Sequence, residues 1–179
     1  DEIKELANGY LDKLVDAGIS ADIDNNTQTS PGFKFAEAEV NGIPVRIEVG
    51  ARDLVNNLIT IARRDKDDKR QIDVNSDIAL YVKELMEDIQ SNLFNKAKTR
   101  MESLTFEADT LQDVEEIMNN HPGFVKAMWC GSEECEDEIK YQTGGASSRC
   151  IPFEETKLSD KCICCGKNAK HMSYFGKSY

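Results

Sequence analysis

No cysteine precedes residue 130, although six follow it, so a disulfide framework stapling the whole chain is excluded. Long apolar runs are missing too. None approaches the ~20 residues that a bilayer span requires, and Asp1-Glu2-Ile3-Lys4 has neither the basic start nor the apolar centre of a signal peptide. A cytoplasmic location is the expectation. Basic charge is scarce, with 22 lysines and arginines against 33 acidic residues and a net charge of −11. Indiscriminate attraction to a polyanion is therefore disfavoured, because such binding rests on basic side chains displacing counterions; any RNA contact must be local. No glycine-rich phosphate loop, nucleophile elbow or paired histidine–carboxylate site is present. Thr143-Gly144-Gly145 comes nearest and lacks the strand–loop–helix lysine context. The chain carries no visible active site of its own, and no internal repeat or low-complexity tract.

What is present suffices for one good core and a smaller unit: 179 residues, 40% hydrophobic and 31% charged. Ile3, Leu6, Tyr10, Leu11, Leu14 and Val15 recur at helical spacing before Gly18 and predict a helix over 2–17. Alternation over Ile19–Asp24 predicts a strand, and the polar stretch that follows a loop. Ser30-Pro31-Gly32 can start a helix over Phe33–Val40; the alternation of Phe33, Phe35, Glu37 and Glu39 also permits a strand, and helix is preferred. Strands are expected over Pro44–Val49, Leu58–Ala62 and Gln71–Val74, with the charged run from Arg63 to Arg70 as an exposed turn. The longest periodic stretch, Ile78 to Leu104, predicts one long helix packed on a sheet, capped by Ser76 or Asp77. A short helix over Leu111–Met118 and a strand over Phe124–Trp129 follow. The alternation of helices and strands favours an α/β layer with a mixed β-sheet flanked by helices.

The cysteines form two hooks, Cys130-Gly131-Ser132-Glu133-Glu134-Cys135 and Cys162-Ile163-Cys164-Cys165-Gly166. Two hooks separated by a helix-and-strand length of chain suit a tetrahedral metal, each bringing two thiolates to the ion. Cys130, Cys135, Cys162 and Cys165 are the preferred ligands. Cys164 competes with Cys165, and unmetallated thiols are the alternative for the whole set. Four thiolates leave no open position for water, so such a zinc would be structural. Cys150 reads as a small buried hydrophobe, and His171 as a surface or core residue rather than a ligand.

Among the polar residues of the first module, Lys34, Phe35, Glu39, Arg46, Glu48, Arg52, Asp53, Arg63 and Arg64 stand out. On a helix, Phe35 and Glu39 lie one turn apart on the same face. An aromatic plane beside a carboxylate suits a splayed-out base, which stacks on the ring while the carboxylate accepts N–H groups from a guanine edge. The plainer reading, favoured by composition alone, puts Phe35 in the core and Glu39 in a surface ion pair.

Pro31-Gly32-Phe33-Lys34-Phe35, Glu39, Gly42 through Asp53, Arg63-Arg64-Asp65 and Lys69 resemble the anticodon-binding domain of the prolyl-tRNA synthetase family. Trp129-Cys130-Gly131, Cys135-Glu136, Ile139-Lys140, Thr143-Gly144, Arg149 through Phe153, Cys162 to Lys167 and the ending Phe175 to Tyr179 resemble the zinc-binding C-terminal extension of its archaeal/eukaryotic-type members. The likeness covers nearly the whole chain. It implies a class II synthetase anticodon-binding fold over 1–108 and a small α+β zinc-binding domain over 109–179. It also implies recognition of proline tRNA through the two guanines of its anticodons, by Phe35, Glu39, Arg46, Arg52 and Asp53, with Lys34 as an addition. Ala51 departs from the family's Gly-Pro-Arg-Asp pattern. By the same likeness, the parent is a homodimeric proline–tRNA ligase whose catalytic domain, with its ATP, Mg and proline, precedes this piece, along with a first strand of the sheet. The chain alone should not aminoacylate. The C-terminal carboxylate of Tyr179 would lie near the catalytic site in the full enzyme. The competing readings are a zinc-stabilised protein-interaction module without an RNA role and a redox role for Cys164 and Cys165.

Overall fold

Apolar spacing of three and four does produce the first helix, α1 (Glu2–Asp16), which buries Tyr10 and Leu14. The computed structural model describes residues 2–66 and 68–178, and Tyr179 lies outside them. It divides into two units, Asp1–Asn95 and Lys96–Tyr179.

In the first unit, α1 is followed by α2 (Pro31–Val40), β1 (Val45–Glu48), α3 (Ala51–Leu54), β2 (Leu58–Arg63), β3 (Asp68–Asp73) and α4 (Ile78–Ser103), which runs on into the second unit. The strands make an antiparallel sheet in the order β1-β2-β3. Alternation sends Val45, Ile47, Ile59, Ile61 and Ile72 to one face, where they pack with Tyr10 and Leu14 of α1 and with Ile78 and Val82 of α4. Tyr10 closes this core by donating its hydroxyl to the Val74 carbonyl at 2.7 Å.

Helix wins over strand at residues 31–40. Ser30 accepts from the Phe33 amide at 3.4 Å and Pro31 occupies the first turn, where its missing N–H costs nothing. For α4 the cap is Asp77 rather than Ser76, its carboxylate accepting from the Leu80 amide at 3.1 Å. Two expectations are corrected. Ile19–Asp24 forms no strand. Ile19 and Ala21 do pack against the core, but the Ile23, Asn26 and Gln28 amides donate to the side chains of Asp22, Asp24 and Asn26 at 2.8 Å, so short polar side chains take local backbone donors. Nor is the charged run wholly exposed, since the side chains of Arg63 and Asp65 retain only 5% and 1% of their exposure.

The second unit adds β4 (Thr105–Ala108), α5 (Leu111–Asn120), β5 (Phe124–Trp129), α6 (Glu133–Gln142), β6 (Ala146–Cys150) and β7 (His171–Lys177). Its sheet is the mixed one, ordered β4-β5-β7-β6, with β4 and β5 parallel across the α5 crossover and the other pairs antiparallel. Val114, Val125, Ile139 and Phe175 are fully buried at its centre. A capping box starts α5: Thr110 accepts from the Asp113 amide at 3.1 Å while Asp113 accepts from the Thr110 amide at 3.0 Å. The compact division falls inside α4, and β4, paired with β5, buries Ala108 in the second core. Among the described residues no helix is long and apolar enough to cross a membrane.

Gly123 ends the α5–β5 connection at φ +131°, and a side chain there would fall on the Leu104 carbonyl that accepts from the Phe124 amide at 2.9 Å. Gly123→Ala is expected to destabilise the second unit by about 2 kcal/mol through strain at this φ, measured as a lower denaturant midpoint of Trp129 fluorescence.

Candidate nucleic-acid interface and metal centre

The sheet of the first unit has a second face. Its register aligns Arg46 with Ala62 and Lys69, and Glu48 with Thr60 and Gln71. The middle strand thus contributes two small residues, and the charged side chains stand on either side. Glu48 links the two flanks, accepting from Arg46 Nε at 3.0 Å and from Lys69 Nζ at 2.9 Å.

Over this face lies the ring of Phe35. Arg46 Cζ sits 4.2 Å and Lys69 Nζ 4.8 Å from its centroid, both within cation–π range. Phe35 is therefore not a core residue, contrary to the plainer sequence reading, and it takes no part in the apolar cluster of the unit. Glu39, one turn along α2, meets Arg46 Nη1 only loosely, at 3.6 Å, and its side chain is 61% exposed. Its ion pair is real but leaves carboxylate acceptor capacity open to solvent. At the other end of the face, Asp53 accepts from Thr60 Oγ1 at 3.1 Å and Gln71 Nε2 at 3.0 Å. Arg52 beside it is exposed on α3.

The structure thus brings Phe35, Glu39 and Arg46 into one cluster and fixes Asp53 on the neighbouring row. Lys34 is turned elsewhere, to the Asp24 carboxylate at 2.9 Å and the Asp24 carbonyl at 3.2 Å. Lys69 is the residue that sequence reasoning left out of the site. Its signal was the period-two register, which sets it across Ala62 from Arg46, and the reading of 63–70 as a turn hid it. The assembled face offers a ring for stacking, carboxylates that accept N–H groups and guanidinium groups for carbonyl or phosphate oxygens.

In the second unit the sulfurs of Cys130, Cys135, Cys162 and Cys165 lie within 4.8 Å of one another, with Cys130 and Cys165 3.8 Å apart. A tetrahedral ion with bonds of about 2.3 Å sets its sulfurs about 3.8 Å apart, so this donor set fits zinc. The first hook follows β5. Gly131 turns at φ +83°, and Ser132 caps α6 by accepting from the Cys135 amide at 3.3 Å. The second is a tight turn in which the Gly166 amide donates to the Cys162 carbonyl at 3.0 Å and the Cys162 amide to Lys167 at 2.8 Å. Bonds from the Ile163 amide to Met128 and from the Lys170 amide to Trp129 tie this turn to β5.

Cys164 lies outside the four and packs on the apolar core instead. His171 also stays outside, its Nδ1 3.5 Å from Glu155. Cys150 is exposed rather than buried, at the irregular register between β6 and β7. Thr143-Gly144-Gly145 closes α6, with Thr143 Oγ1 donating to Ile139 at 2.6 Å and accepting from the Ala146 amide at 3.0 Å.

Within the cluster, the Cys130 and Cys135 thiols are shifted in opposite directions. Burial raises the Cys130 thiol, but the Ser132 amide and hydroxyl outweigh it and hold the group below its ordinary pKa. For Cys135 the hydroxyl of Ser132 acts downwards, yet burial and the Cys130 and Cys164 thiols push it up. One thiolate is favoured at the expense of the next, which is the electrostatic conflict a bound divalent ion removes.

Two family models match. One described as an anticodon binding domain spans residues 1–91, and one described as the C-terminal domain of prolyl-tRNA synthetase spans residues 111–179. A proline–tRNA ligase of Alkaliphilus oremlandii is 42% identical over 177 residues, 99% of this chain and 36% of that protein. One from Clostridium novyi is 43% identical over 155 residues, 87% of this chain and 32% of that protein. Among solved structures, the prolyl-tRNA synthetase of Cryptosporidium parvum, complexed with L-proline and AMP, superposes with a TM-score of 0.90 at 34% identity, over 100% of this chain and 38% of that one. The chain thus spans about a third of the length of these curated relatives.

Proposed function

The chain belongs to the anticodon-binding domain family and continues into a prolyl-tRNA synthetase C-terminal domain, and from that membership we propose that it reads the anticodon of proline tRNA for a cytoplasmic, homodimeric proline–tRNA ligase. The ligation itself, with its ATP and Mg, belongs on this reading to a catalytic domain of the same polypeptide. By function, residues 1–108 are the reading portion and 109–179 the zinc-bearing portion, a division supported by family matches over 1–91 and 111–179 and distinct from the packing division inside α4.

The observation that carries the reading is the ring of Phe35 held over the open sheet face by two cations, with Glu39 free to accept beside it. A base stacks on the ring while Glu39 accepts the N–H groups of a guanine edge. Arg46 and Arg52 serve carbonyl or phosphate oxygens, and Asp53 is a further acceptor for a second guanine. Lys34, drawn towards Asp24, is the most peripheral member. This arrangement reconciles RNA binding with a net charge of −11, because recognition rests on a local cluster rather than on bulk attraction. Cys130, Cys135, Cys162 and Cys165 hold a structural zinc. When bound, the ion supplies charge to stabilise four thiolates and crosslinks the two hooks, with no open coordination position.

Binding of proline tRNA should weaken when either anticodon guanine is replaced. Glu39→Ala should cut that discrimination by about tenfold, the scale of one hydrogen bond to a charged group. Phe35→Ala should weaken the cognate complex by about tenfold or more through lost stacking. Equal binding of the guanine-bearing and guanine-replaced tRNAs by the native chain would overturn the reading.

A further inference from the structure

Helix α2 carries Phe35 and Glu39 of the proposed reading cluster, yet it contributes nothing to the apolar core. None of its residues is buried, and none belongs to the cluster formed by α1, the sheet and α4. Polar contacts therefore set its place on the sheet. Arg46 Nη1 donates to the Phe35 carbonyl at 3.4 Å, and Arg64 Nε donates to the Glu39 carbonyl at 2.8 Å. The second is the shorter, and it falls on the last turn of the helix, where the Glu39 carbonyl also accepts from the Gly42 amide at 3.2 Å.

Arg64 is itself held. Its amide donates to the Pro44 carbonyl at 3.0 Å, extending the β1–β2 ladder. On either side of it the chain is anchored under the sheet: Arg63 and Asp65 form a two-bond ion pair at 2.7 and 2.8 Å. Asp88 and Asn92 of α4 complete the lock, at 2.6 Å to Arg63 and 2.5 Å to Asp65. Side chains 63, 64 and 65 thus alternate, two engaging α4 and the middle one reaching α2.

We propose that Arg64 is a positioning residue for base selectivity, pinning the C-terminal turn of α2 to the locked β2–β3 turn so that Glu39 meets the base edge while Arg64 itself touches no RNA. This rests on the anticodon-reading function proposed above. Its consequence differs from that of a direct contact. A basic side chain on a phosphate weakens all sequences about equally and lowers the salt dependence of binding by nearly one counterion. A pin on α2 changes the ratio between sequences and leaves the salt slope alone.

The test compares the full chain with Arg64→Ala and Arg64→Lys, titrated with proline tRNA transcripts that keep or replace one anticodon guanine, over a range of salt concentrations. Arg64 is exposed, so the variants should keep the native melting curve. Arg64→Ala should lower the discrimination ratio about fivefold to tenfold with an unchanged salt slope and faster amide exchange in α2 but not in β2. Arg64→Lys, which can still donate to the Glu39 carbonyl, should restore part of the ratio. A native chain that discriminates together with an alanine variant of equal discrimination overturns the positioning role alone. Uniform loss with a shallower salt slope makes Arg64 a phosphate contact and overturns it likewise. A native chain that does not discriminate overturns the reading on which the role rests.

Discussion

A strong chelator is expected to remove one zinc per chain and to lower the thermal midpoint of the second unit by more than about 10 °C, with the first unit melting as before. Trp129 is the single tryptophan and lies next to Cys130, so its fluorescence follows the second unit. The expectation follows from what the hooks do. The Cys162 turn is fastened to β5 by the Ile163 and Lys170 amides, and the ion would fasten the same turn a second time through Cys130 and Cys135. Without it, buried thiols with opposing pKa shifts stay close together with no charge to reconcile them. Cys165→Ser should lose the metal and reproduce the chelator effect. Cys164→Ser should retain the metal, because its sulfur is not among the four that close on one another, although it borders Cys135 while packing on the core. Purified native protein without metal, melting identically with and without chelator, would end the zinc assignment.

Asp65→Asn is expected to destabilise the first unit by about 3–5 kcal/mol, the cost of leaving a buried partner charge poorly compensated. Arg63 would then face Asp88 as its one remaining carboxylate in that lock. The same pair predicts an acid limb. Hydrogen bonds from Arg63, working against burial, hold the Asp65 carboxyl at about 2, compared with about 3.9 when unfolded. Because the folded value is the lower one, the contribution is complete above about pH 4 and is lost as pH falls through about 2. Asp88 is also lowered by its bond to Arg63 and acts in the same direction. Urea midpoints of the first unit, followed by tyrosine fluorescence or circular dichroism between pH 5 and 2, should fall more steeply for the native chain than for Asp65→Asn. Parallel curves would show that the carboxylate does not contribute.

The legible parts of this fold were those written in apolar periodicity. Helices α1, α4 and α5 and strands β1, β2 and β5 each repeat a core face in their own sequence, and each formed where the spacing placed it. What escaped depends on partners remote in sequence. The alternation at Ile19–Asp24 reports burial on one side, which a strand and an unpaired extended segment share. Strands β4, β6 and β7 carry Thr, Ser, Gly and His, and they become strands because β5 and its neighbours supply hydrogen-bonding edges. Helix α6 is acidic through its first turn, which suits a helix N-terminus but hides the single buried stripe of Cys135 and Ile139. The site divides along the same line. Four thiols in paired hooks announce themselves by spacing, and family motifs point to Phe35, Glu39, Arg46, Arg52 and Asp53. The pairing of Lys69 with Arg46 across Ala62 is a matter of register. The burial of Arg63 and Asp65 requires α4 to lie beneath the turn, a fact absent from any local charge pattern.

Strand β7 stands inside the second sheet, between β5 and β6, although it follows both in the chain. During synthesis, β4, β5, α6 and both cysteine hooks leave the ribosome before the strand that joins them, and β5 waits with an open edge beside β4. Phe175, the largest fully buried side chain among the described residues, arrives with it. The sheet and core of the second unit are therefore complete only once residues 171–177 have emerged.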